Sequence, residues 1–271
     1  MRHALLITTL LVALITRAGG ELWPVGARFA GMGNAGLTLV DLWSVSANQA
    51  GLAGLEHPVA GAYYQQHWLS SDLAMQGLAF AMPLGKGCIA VNGGSFGSTG
   101  LFAQQRYGLA YAMRLGQRLR VGVQLDYLNL RFGENYGKTG TVTAEVGLQA
   151  KLTDHLWIAA HLYNPNRARL GGPYNERVPT VFSAGLGYTF SERVVLCAQV
   201  DKDIDLPERY HVGIEYRPAN VLYVRAGVSS GPVQGHGGVG VRIKGLEIDL
   251  AVAARSQLGI TPMFNLIYRS E

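Results

Sequence analysis

Three glycines near the N-terminus, Gly31, Gly33 and Gly36 in the stretch GARFAGMGNAG, have the G-x-G-x-x-G spacing of a dinucleotide-binding turn. In such a turn the glycines join a buried strand to a helix, and the N-terminus of that helix receives a pyrophosphate. Here only Trp23 to Phe29, without strand character, precedes Gly31, and no alternation of strands and helices follows. The spacing therefore does not predict a nucleotide site, and no cofactor is expected.

Other residue types that could carry chemistry are dispersed. Five histidines stand without an H-x-x-x-H pair: His67, His155, His161, His211 and His236. The two cysteines, Cys88 and Cys197, lie far apart and form no C-x-x-C pair. Metal sites are usually built from such close pairs, so no metal site is predicted. A single disulfide is left open.

Charged residues of both signs recur at alternate positions in the second half of the chain and just before it: Asp126, Glu215, Arg217, Arg225, Arg242, Glu247 and Asp249. They could form the acid–base constellation of a barrel hydrolase, or they could neutralise one another in a polar lumen. Ser44, Ser229 and Ser230 lack the spacing of a nucleophile elbow. We favour the lumen interpretation, and we predict no catalytic residue and no enzyme activity.

The composition is apolar and lacks the clustered basic residues that are typical of nucleic-acid-binding proteins. The 271 residues are 48% hydrophobic and 15% charged, with a formal net charge of +5. Removing a segment that contains Arg2 and Arg17 would leave 21 of the 23 basic residues against 18 acidic ones, or +3. No run of basic residues occurs, so no nucleic-acid partner is expected.

The first 20 residues, MRHALLITTLLVALITRAGG, have the three parts of a secretory signal peptide. The basic residue Arg2 precedes an apolar core from Ala4 to Ile15, and small residues follow from Ala18 to Gly20. The core has about 12 residues, whereas a membrane-spanning helix needs about 20. We predict export through a cleaved signal peptide at residues 1–20.

Alternation of apolar and polar residues dominates the rest of the chain. In LRVGVQLDY the apolar side chains are Leu119, Val121, Val123, Leu125 and Tyr127, and polar residues or glycine stand between them. Successive side chains of a strand point to opposite faces, so this period predicts strands with one apolar and one polar face. The pattern does not say which face points outward.

About 14 such segments follow one another at residues 58–68, 73–83, 87–96, 101–114, 118–132, 140–152, 155–163, 178–190, 193–202, 208–217, 221–229, 235–244, 245–254 and 260–269. Each is long enough for a tilted transmembrane strand, and single-chain bacterial barrels have even strand numbers. A soluble barrel of this size would be too wide to fill with side chains. We predict an all-β fold, an antiparallel transmembrane β-barrel of about 14 strands over residues 57–271.

The connections between these segments alternate in length. The odd ones, such as YNPNRARLGGPYNERVP, are mostly long, and the even ones, such as LGQR, TDH and SER, are short. Outer-membrane barrels have longer extracellular loops and tight periplasmic turns. The predicted location is the bacterial outer membrane.

Residues 21–56 precede the barrel and have weak strand character, with a short helix predicted around Leu39 to Ala47. The motifs GAR at 26–28, GMG at 31–33 and NQAGL at 48–52, followed by alternating strands, resemble the FadL-like outer-membrane family. The closer likeness is to its PorV/PorQ-type branch, which is associated with type IX secretion in Bacteroidota. Members often have Asn-Pro-Ala where this chain has Asn48, Gln49 and Ala50.

The resemblance implies a 14-stranded barrel without catalytic chemistry, whose N-terminal residues fold back into the lumen as a plug. Residues 21–56 would form this plug, with the following site residues: Gly26, Arg28, Gly31, Gly33, Gly36, Asp41, Asn48 and Gly51. The residue types fit, because glycines and alanines let a backbone pack closely against strand side chains. Arg28 and Asp41 could pair with lumen charges.

Two functions are implied. FadL-like members pass long-chain fatty acids and other hydrophobic molecules by diffusion through a lateral gap, and we take such passive transport as the leading prediction. Glycines that would kink the wall favour it: Gly93, Gly94, Gly237 and Gly238. The alternative is a PorV/PorQ-type accessory subunit of an outer-membrane secretion or assembly machine, which the short outside connections favour. Expected partners are outer-membrane lipid and either a hydrophobic ligand or other envelope or secretion proteins.

The longest connection, YNPNRARLGGPYNERVP, contains Arg167, Arg169, Tyr174 and Arg177. As an outside loop it could contact a protein partner or an anionic headgroup. An ordinary mobile loop is the alternative.

Overall fold

The computed structural model describes residues 25–98, 102–133, 137–171 and 177–270. Fourteen antiparallel strands form a closed barrel, in which each strand pairs with its sequence neighbours and β1 pairs with β14. The strands are β1 Val59–Gln66, β2 Ala74–Leu84, β3 Gly87–Ser98, β4 Phe102–Leu115, β5 Leu119–Phe132, β6 Lys138–Lys151, β7 Leu156–Tyr163, β8 Val181–Ser191, β9 Val194–Asp203, β10 Arg209–Ala219, β11 Leu222–Ser229, β12 Gln234–Ile243, β13 Leu246–Arg255 and β14 Gly259–Arg269. The predicted all-β barrel is confirmed.

Strand ends differ from the predicted ones mainly after β1. The segment expected at 58–68 ends as a strand at Gln66, and two short 3₁₀ helices follow at His67–Leu69 and Ser71–Leu73. Trp68 and Leu69 have φ of 50° and 59°. A positive φ cannot continue an extended ladder, and sequence alternation does not reveal it.

The apolar face of the wall points outward. Along β5, Val123, Leu125 and Tyr127 are exposed by 52%, 59% and 50%, whereas Gln124 and Asp126 are buried at 2% and 0%. This arrangement is the inverse of a soluble barrel and is that of a wall facing lipid. The alternation on each strand therefore separates a lipid-facing side from a lumen-facing side.

Residues from Val25 to Leu55 lie inside the barrel. They form helix α1 (Ala27–Gly31), helix α2 (Ser44–Ala47) and the 3₁₀ helix Gln49–Gly54. Helix α1 contacts β11 to β14, and the 3₁₀ helix contacts β3 to β6 on the other side. This segment, called the plug below, therefore crosses the lumen. None of the described helices is both long and apolar enough to span a membrane.

Helix α2 occupies only the second half of the helix that was predicted around Leu39 to Ala47, because the residues before Ser44 form turns. The predicted signal peptide at residues 1–20 lies outside the described residues. The division into 1–20, 21–56 and 57–271 stays a prediction.

Apolar side chains of the plug pack against the wall at the centre of the molecule. Phe29, Met32, Leu42, Trp43 and Leu52 of the plug are each at most 1% exposed. Trp43 meets Tyr63 of β1 edge to face, with ring centroids 5.0 Å apart. Burying one such side chain stabilises by roughly 1.5–3 kcal/mol, so the plug serves as the hydrophobic core that a wide barrel otherwise lacks.

The two ends of the barrel differ. One end, called the loop end, carries the long β7–β8 connection; the other, called the turn end, carries tight turns such as β2–β3. At the turn end the chain leaves the plug at the buried residue Leu55 and starts β1 at Val59. The backbone N–H of Ser270 donates to the carbonyl of Pro58 at 2.9 Å. The link between plug and wall therefore lies beside the seam where the barrel closes.

Candidate functional site in the plugged lumen

The glycines with nucleotide-binding spacing belong to the plug. Helix α1 ends at Gly31, so these glycines follow a helix, whereas a pyrophosphate site needs them before one. Gly33 has a φ of 67°, which glycine adopts without strain. A Cβ on Gly36 would lie 2.8 Å from the Phe29 ring. Their role in the structure is close packing.

One pair of wall glycines receives the turn after α1. Gly213 of β10 and Gly227 of β11 are register partners, and both point into the lumen. A Cβ on Gly227 would lie 2.9 Å from Gly33 Cα and would collide with the Met32–Gly33 peptide, and one on Gly213 would collide with the Met32 carbonyl. The plug backbone therefore touches the wall backbone there. We call this pair the first glycine socket.

A second glycine socket lies across the lumen. Gly122 of β5 and Gly147 of β6 are register partners, and Cβ atoms on them would collide with the plug at Asn48 and Gln49. The Asn48 amide donates to the Leu148 carbonyl at 3.1 Å. These contacts need no proline, so the departure from Asn-Pro-Ala leaves this side of the plug anchored.

An ion-pair network joins the plug to β10, β11 and β13. Arg28 pairs with Asp41 within the plug, with Nη1 and Oδ2 3.2 Å apart, and with Glu215 of the wall. Arg225 contacts both Glu215, at 2.7 Å, and Asp249, at 2.5 Å. Two arginines thus face three carboxylates in a buried site.

A second network lies on the other side of the plug. Arg106 of β4 pairs with Asp126 at 3.0 Å and with Glu145. Glu145 also accepts hydrogen bonds from Gln49 of the plug, at 2.6 Å, and from His161, at 2.8 Å. Removing one partner of a buried ion pair is costly, because it leaves an uncompensated charge. The two networks therefore hold the plug in one position.

The charged residues proposed for the lumen almost all form ion pairs. Besides Asp126, Glu215, Arg225 and Asp249, Glu247 is paired with Arg242 and Arg269 at the turn end. Arg217 is half-buried, and no described carboxylate pairs with it. The arrangement is that of a neutralised lumen.

Serine, histidine and aspartate do not combine into a catalytic triad in the described part of the chain. Ser229 is 2.9 Å from His236, but no described carboxylate is bonded to that ring. His211 lies 3.0 Å from Asp201, and its other nitrogen bonds to the Gly33 carbonyl of the plug. His211 and Ser229 are register partners, so the two pairs lie side by side, but no hydrogen bond joins them among the described residues, and the second pair anchors the plug.

A small cavity crosses the wall between plug and lipid. It has a volume of about 20 Å³, enough for one water molecule. Its lining includes Val25 and Trp43 of the plug, and Leu78 and Gly93, which face the lipid. No organic molecule fits in this closed state.

Two glycines of the wall lie beside this cavity, under the Tyr63 ring. The inward positions Gly77 of β2 and Gly94 of β3 are register partners and carry no side chain. A Cβ on Gly94 would lie 2.7 Å from the Tyr63 hydroxyl. The pairing runs through Gly93–Gly94 and Gly237–Gly238 without a register shift. No bulge is therefore present at these glycines, and Gly94 and Gly238 allow close approach, of the Tyr63 ring and of Gly31 respectively. The predicted kink stays a prediction.

The loop end of the lumen is aromatic. Phe96, Phe102 and Phe132 follow one another with centroid separations of 6.5 and 5.5 Å, and His67 meets Phe96 at 5.7 Å. Burial lowers the pKa of His67, so its ring is neutral at neutral pH. Together they give the mouth a surface suited to apolar molecules.

The β7–β8 connection closes part of the same mouth. Leu170 and Val178 of the connection pack on Leu128, Leu130 and Tyr163 of the wall. The connection is tied down by Asn164, which is fully buried and has a φ of 54°. Its side chain donates to the Val178 carbonyl and accepts from the Ala168 N–H, both at 2.8 Å.

The predicted site residues thus lie in two places. The plug residues all lie in the lumen, where Gly26 packs on Trp43 and Gly51 packs on Leu39 and Ser44 within the plug. The loop residues Arg167, Arg169 and Arg177 are exposed at the loop end, and Tyr174 lies outside the described residues.

Sequence reasoning missed Gln49, Arg106, Glu145 and Asn164 as organising residues. Arg106 and Glu145 occupy polar positions in the alternation of the predicted strands, and this pattern was the signal that could have placed them in the lumen. Nothing in the spacing indicated that both would meet the same plug glutamine.

Known structures share this fold. The CymD monoaromatic hydrocarbon channel superposes with a TM-score of 0.73 at 12% identity, covering 93% of this chain and 99% of that one. The toluene transporter TodX of Pseudomonas putida gives 0.66 at 12%, covering 90% and 96%. A FadL homologue of Pseudomonas aeruginosa gives 0.63 at 10%, covering 92% and 99%. No protein-family model and no curated protein sequence matches the chain.

At these identities the likeness establishes the fold alone, the barrel that the chain shares with the CymD and TodX channels and the FadL homologue. None of the three structures is a secretion subunit. The predicted PorV/PorQ branch and the alternative of an accessory subunit therefore gain no support from them.

Proposed function

We propose that this protein is a non-enzymatic channel of the bacterial outer membrane through which hydrophobic small molecules diffuse. Its loop end would face the medium, since outer-membrane barrels carry their longer connections outside. An N-terminal signal peptide at residues 1–20 would direct export.

The observation that carries the proposal is the cavity through the wall. Apolar plug residues and the lipid-facing Leu78 line the same space, and beside it the Tyr63 ring is the side chain that covers the glycines Gly77 and Gly94. Arg106 of the second network also lines this space, so a molecule that moves sideways into lipid here would pass beside one end of that network. The aromatic mouth at Phe96, Phe102 and Phe132 supports capture of an apolar molecule at the other end.

The plug must shift for passage, because about 20 Å³ is too small for any organic ligand. A sealed resting state also excludes ions and polar solutes. We therefore propose gated diffusion without an energy source. The shared fold, together with the CymD hydrocarbon channel and the TodX toluene transporter, supports the class of substrate that we propose, an apolar molecule with at most a small polar head.

The test is uptake by bacterial cells that have no hydrocarbon channel of their own, because their outer leaflet blocks apolar molecules. Expression of this protein should accelerate uptake of radiolabelled toluene or laurate and leave uptake of a labelled disaccharide unchanged. Recovery of the folded protein in the outer-membrane fraction is the control. A folded protein in that fraction that accelerates neither apolar probe would refute the proposal.

A further inference from the structure

Two cations stand opposite each other on the outer surface of the wall. Arg131 of β5 and Lys138 of β6 are register partners at the loop end, and both are exposed. They lie on the same faces as the lipid-facing Tyr127 and Val142. Like charges directly opposite each other destabilise a sheet. Among the described residues no carboxylate forms an ion pair with either, so in that part of the chain the two charges are not compensated.

A hollow lies directly beside the pair. It is open to the outside, has a volume of about 280 Å³, and is lined by Tyr127, Asn129, Arg131, Lys138, Thr139 and Gly140. Gly140 creates the room, since a Cβ there would lie 2.8 Å from the Tyr127 hydroxyl. The hollow therefore offers a guanidinium, an ammonium and a phenol O–H to one ligand.

The height of the hollow on the wall indicates the kind of ligand. Outward residues of β5 change from Val123 and Leu125 to Tyr127 and then to Asn129 and Arg131. Tyrosine is typical of the membrane interface. Arg131 lies four residues beyond it, roughly 13 Å along the strand at about 3.3 Å per residue. The cations thus stand at the level of lipid headgroups.

The neighbouring connection extends this positive charge. Arg167, Arg169 and Arg177 are exposed, and Arg169 and Arg177 are again opposite each other in a β-bridge. Thr139, in the lining of the hollow, donates to the Gly171 carbonyl of that connection at 2.7 Å. By contrast, the exposed Lys202 elsewhere at the loop end is paired with Glu208 at 2.9 Å. Within the described ranges, a group of exposed cations that form no ion pair therefore lies on the rim at β5 to β8: Arg131, Lys138, Arg167, Arg169 and Arg177.

We propose that this basic rim binds the phosphate monoesters of a lipid headgroup in the outer leaflet, with Arg131 and Lys138 as its centre. Arginine offers parallel N–H donors that match phosphate oxygens, and lysine adds a compact charge. The acyl chains of the lipid would lie along the apolar face below Tyr127. The site rests on the proposed outer-membrane location and is independent of transport.

The test compares lipid binding by the intact purified protein in maltoside detergent, using native mass spectrometry. The probes are diphosphorylated lipid A, its monophosphorylated form and phosphatidylethanolamine. We expect lipid A to bind in preference to phosphatidylethanolamine. Arg131→Gln with Lys138→Gln should weaken lipid A binding roughly 30-fold, since each cation near an anionic surface is worth about fivefold. Lys202→Gln is the matched control and should bind like the unaltered protein.

Three results would overturn the proposal. The first is equal binding of lipid A and phosphatidylethanolamine, and the second is unchanged lipid A binding by the double variant. The third is complete displacement of lipid A by about 10 mM inorganic phosphate, which competes for the cations. The last would indicate a site for the free ion. The heat-dependent shift of the folded barrel in gel electrophoresis checks that each variant is folded. Uptake of toluene is measured in parallel, so failure of transport and failure of lipid binding are distinguishable.

Discussion

Arg28 of the plug and Glu215 of β10 form a two-pronged ion pair across the boundary between plug and wall. Arg28 Nε donates to Glu215 Oε2 at 2.9 Å, and Nη2 donates to Oε1 at 2.7 Å. The pair therefore joins the plug, which we propose to move, directly to the wall of the barrel.

Replacing Arg28 should loosen the plug. Arg28→Met leaves Asp41 and Glu215 with less compensation, at a cost of about 3 kcal/mol in plug docking. Backbone hydrogen exchange in the plug should then accelerate on the order of 100-fold. Lys202→Met, which breaks the exposed pair with Glu208, should change it little. Equal exchange in the Arg28 variant and the unaltered protein would contradict the assigned role.

The first glycine socket makes a steric prediction. Gly227→Ala inserts a methyl group where the Met32–Gly33 peptide lies, so the plug cannot seat and should become accessible to protease. Gly237→Ala is the matched control, because a Cβ there has open space. Protease digestion of both variants in detergent tests this. A plug that is equally protected in both would show that the socket tolerates side chains.

Displacement of the plug can be blocked with one new cysteine. Thr38 Oγ1 of the plug lies 3.7 Å from Sγ of Cys197 on β9, so Thr38→Cys should form a disulfide that ties the plug to the wall. Under oxidising conditions we expect loss of toluene uptake, and dithiothreitol should restore it. Thr38→Ser should behave like the unaltered protein in both conditions. Full uptake through the cross-linked protein would mean that the plug need not move.

A side chain at Gly94, under the Tyr63 ring, should block the lateral route that we propose. Gly94→Val places its side chain against the Tyr63 hydroxyl, beside the small cavity. Uptake should fall to the level of cells without the protein, while plug protection from protease is retained. Gly235→Val, at a position with open space, should leave uptake intact. If Gly94→Val transports normally, the route does not pass between β2 and β3.

The β7–β8 connection should depend on Asn164. Asn164→Ala removes bonds to buried backbone groups and puts alanine at a positive φ, a total cost of about 2–4 kcal/mol. We expect faster protease cleavage within residues 164–180 on intact cells. Asn220→Ala, at an exposed position in the β10–β11 turn, serves as the control. Cleavage at the unaltered rate would mean that the apolar packing of Leu170 and Val178 holds the connection alone.

The strands of the wall were predictable because the alternation of apolar and polar residues is a local property of the sequence. Alternation places Val123 and Leu125 on one face and Gln124 and Asp126 on the other, whatever their partners are. The number of strands and most of their ends follow from this period. The exception at Trp68 has a backbone conformation that residue type does not specify.

The contents of the lumen were less predictable because they depend on distant pairs. Gln49 and Glu145 are separated by 96 residues, and Arg28 and Glu215 by 187. Strand register and barrel closure bring them together, and both are properties of the whole chain. The wall glycines show the same limit, since their spacing did not distinguish a kink from a surface on which plug backbone rests.

The short link beside the seam limits how the plug can move. Only Glu56, His57 and Pro58 separate the buried Leu55 from β1, so the four steps from Leu55 to Val59 span at most about 14 Å at roughly 3.5 Å per residue. This end of the plug therefore acts as a pivot, while the Met32–Gly33 turn on the far side can travel furthest. In the opening that we propose, the plug would swing about this link and reseal the lumen after a molecule has passed, since the plug is never detached from the barrel.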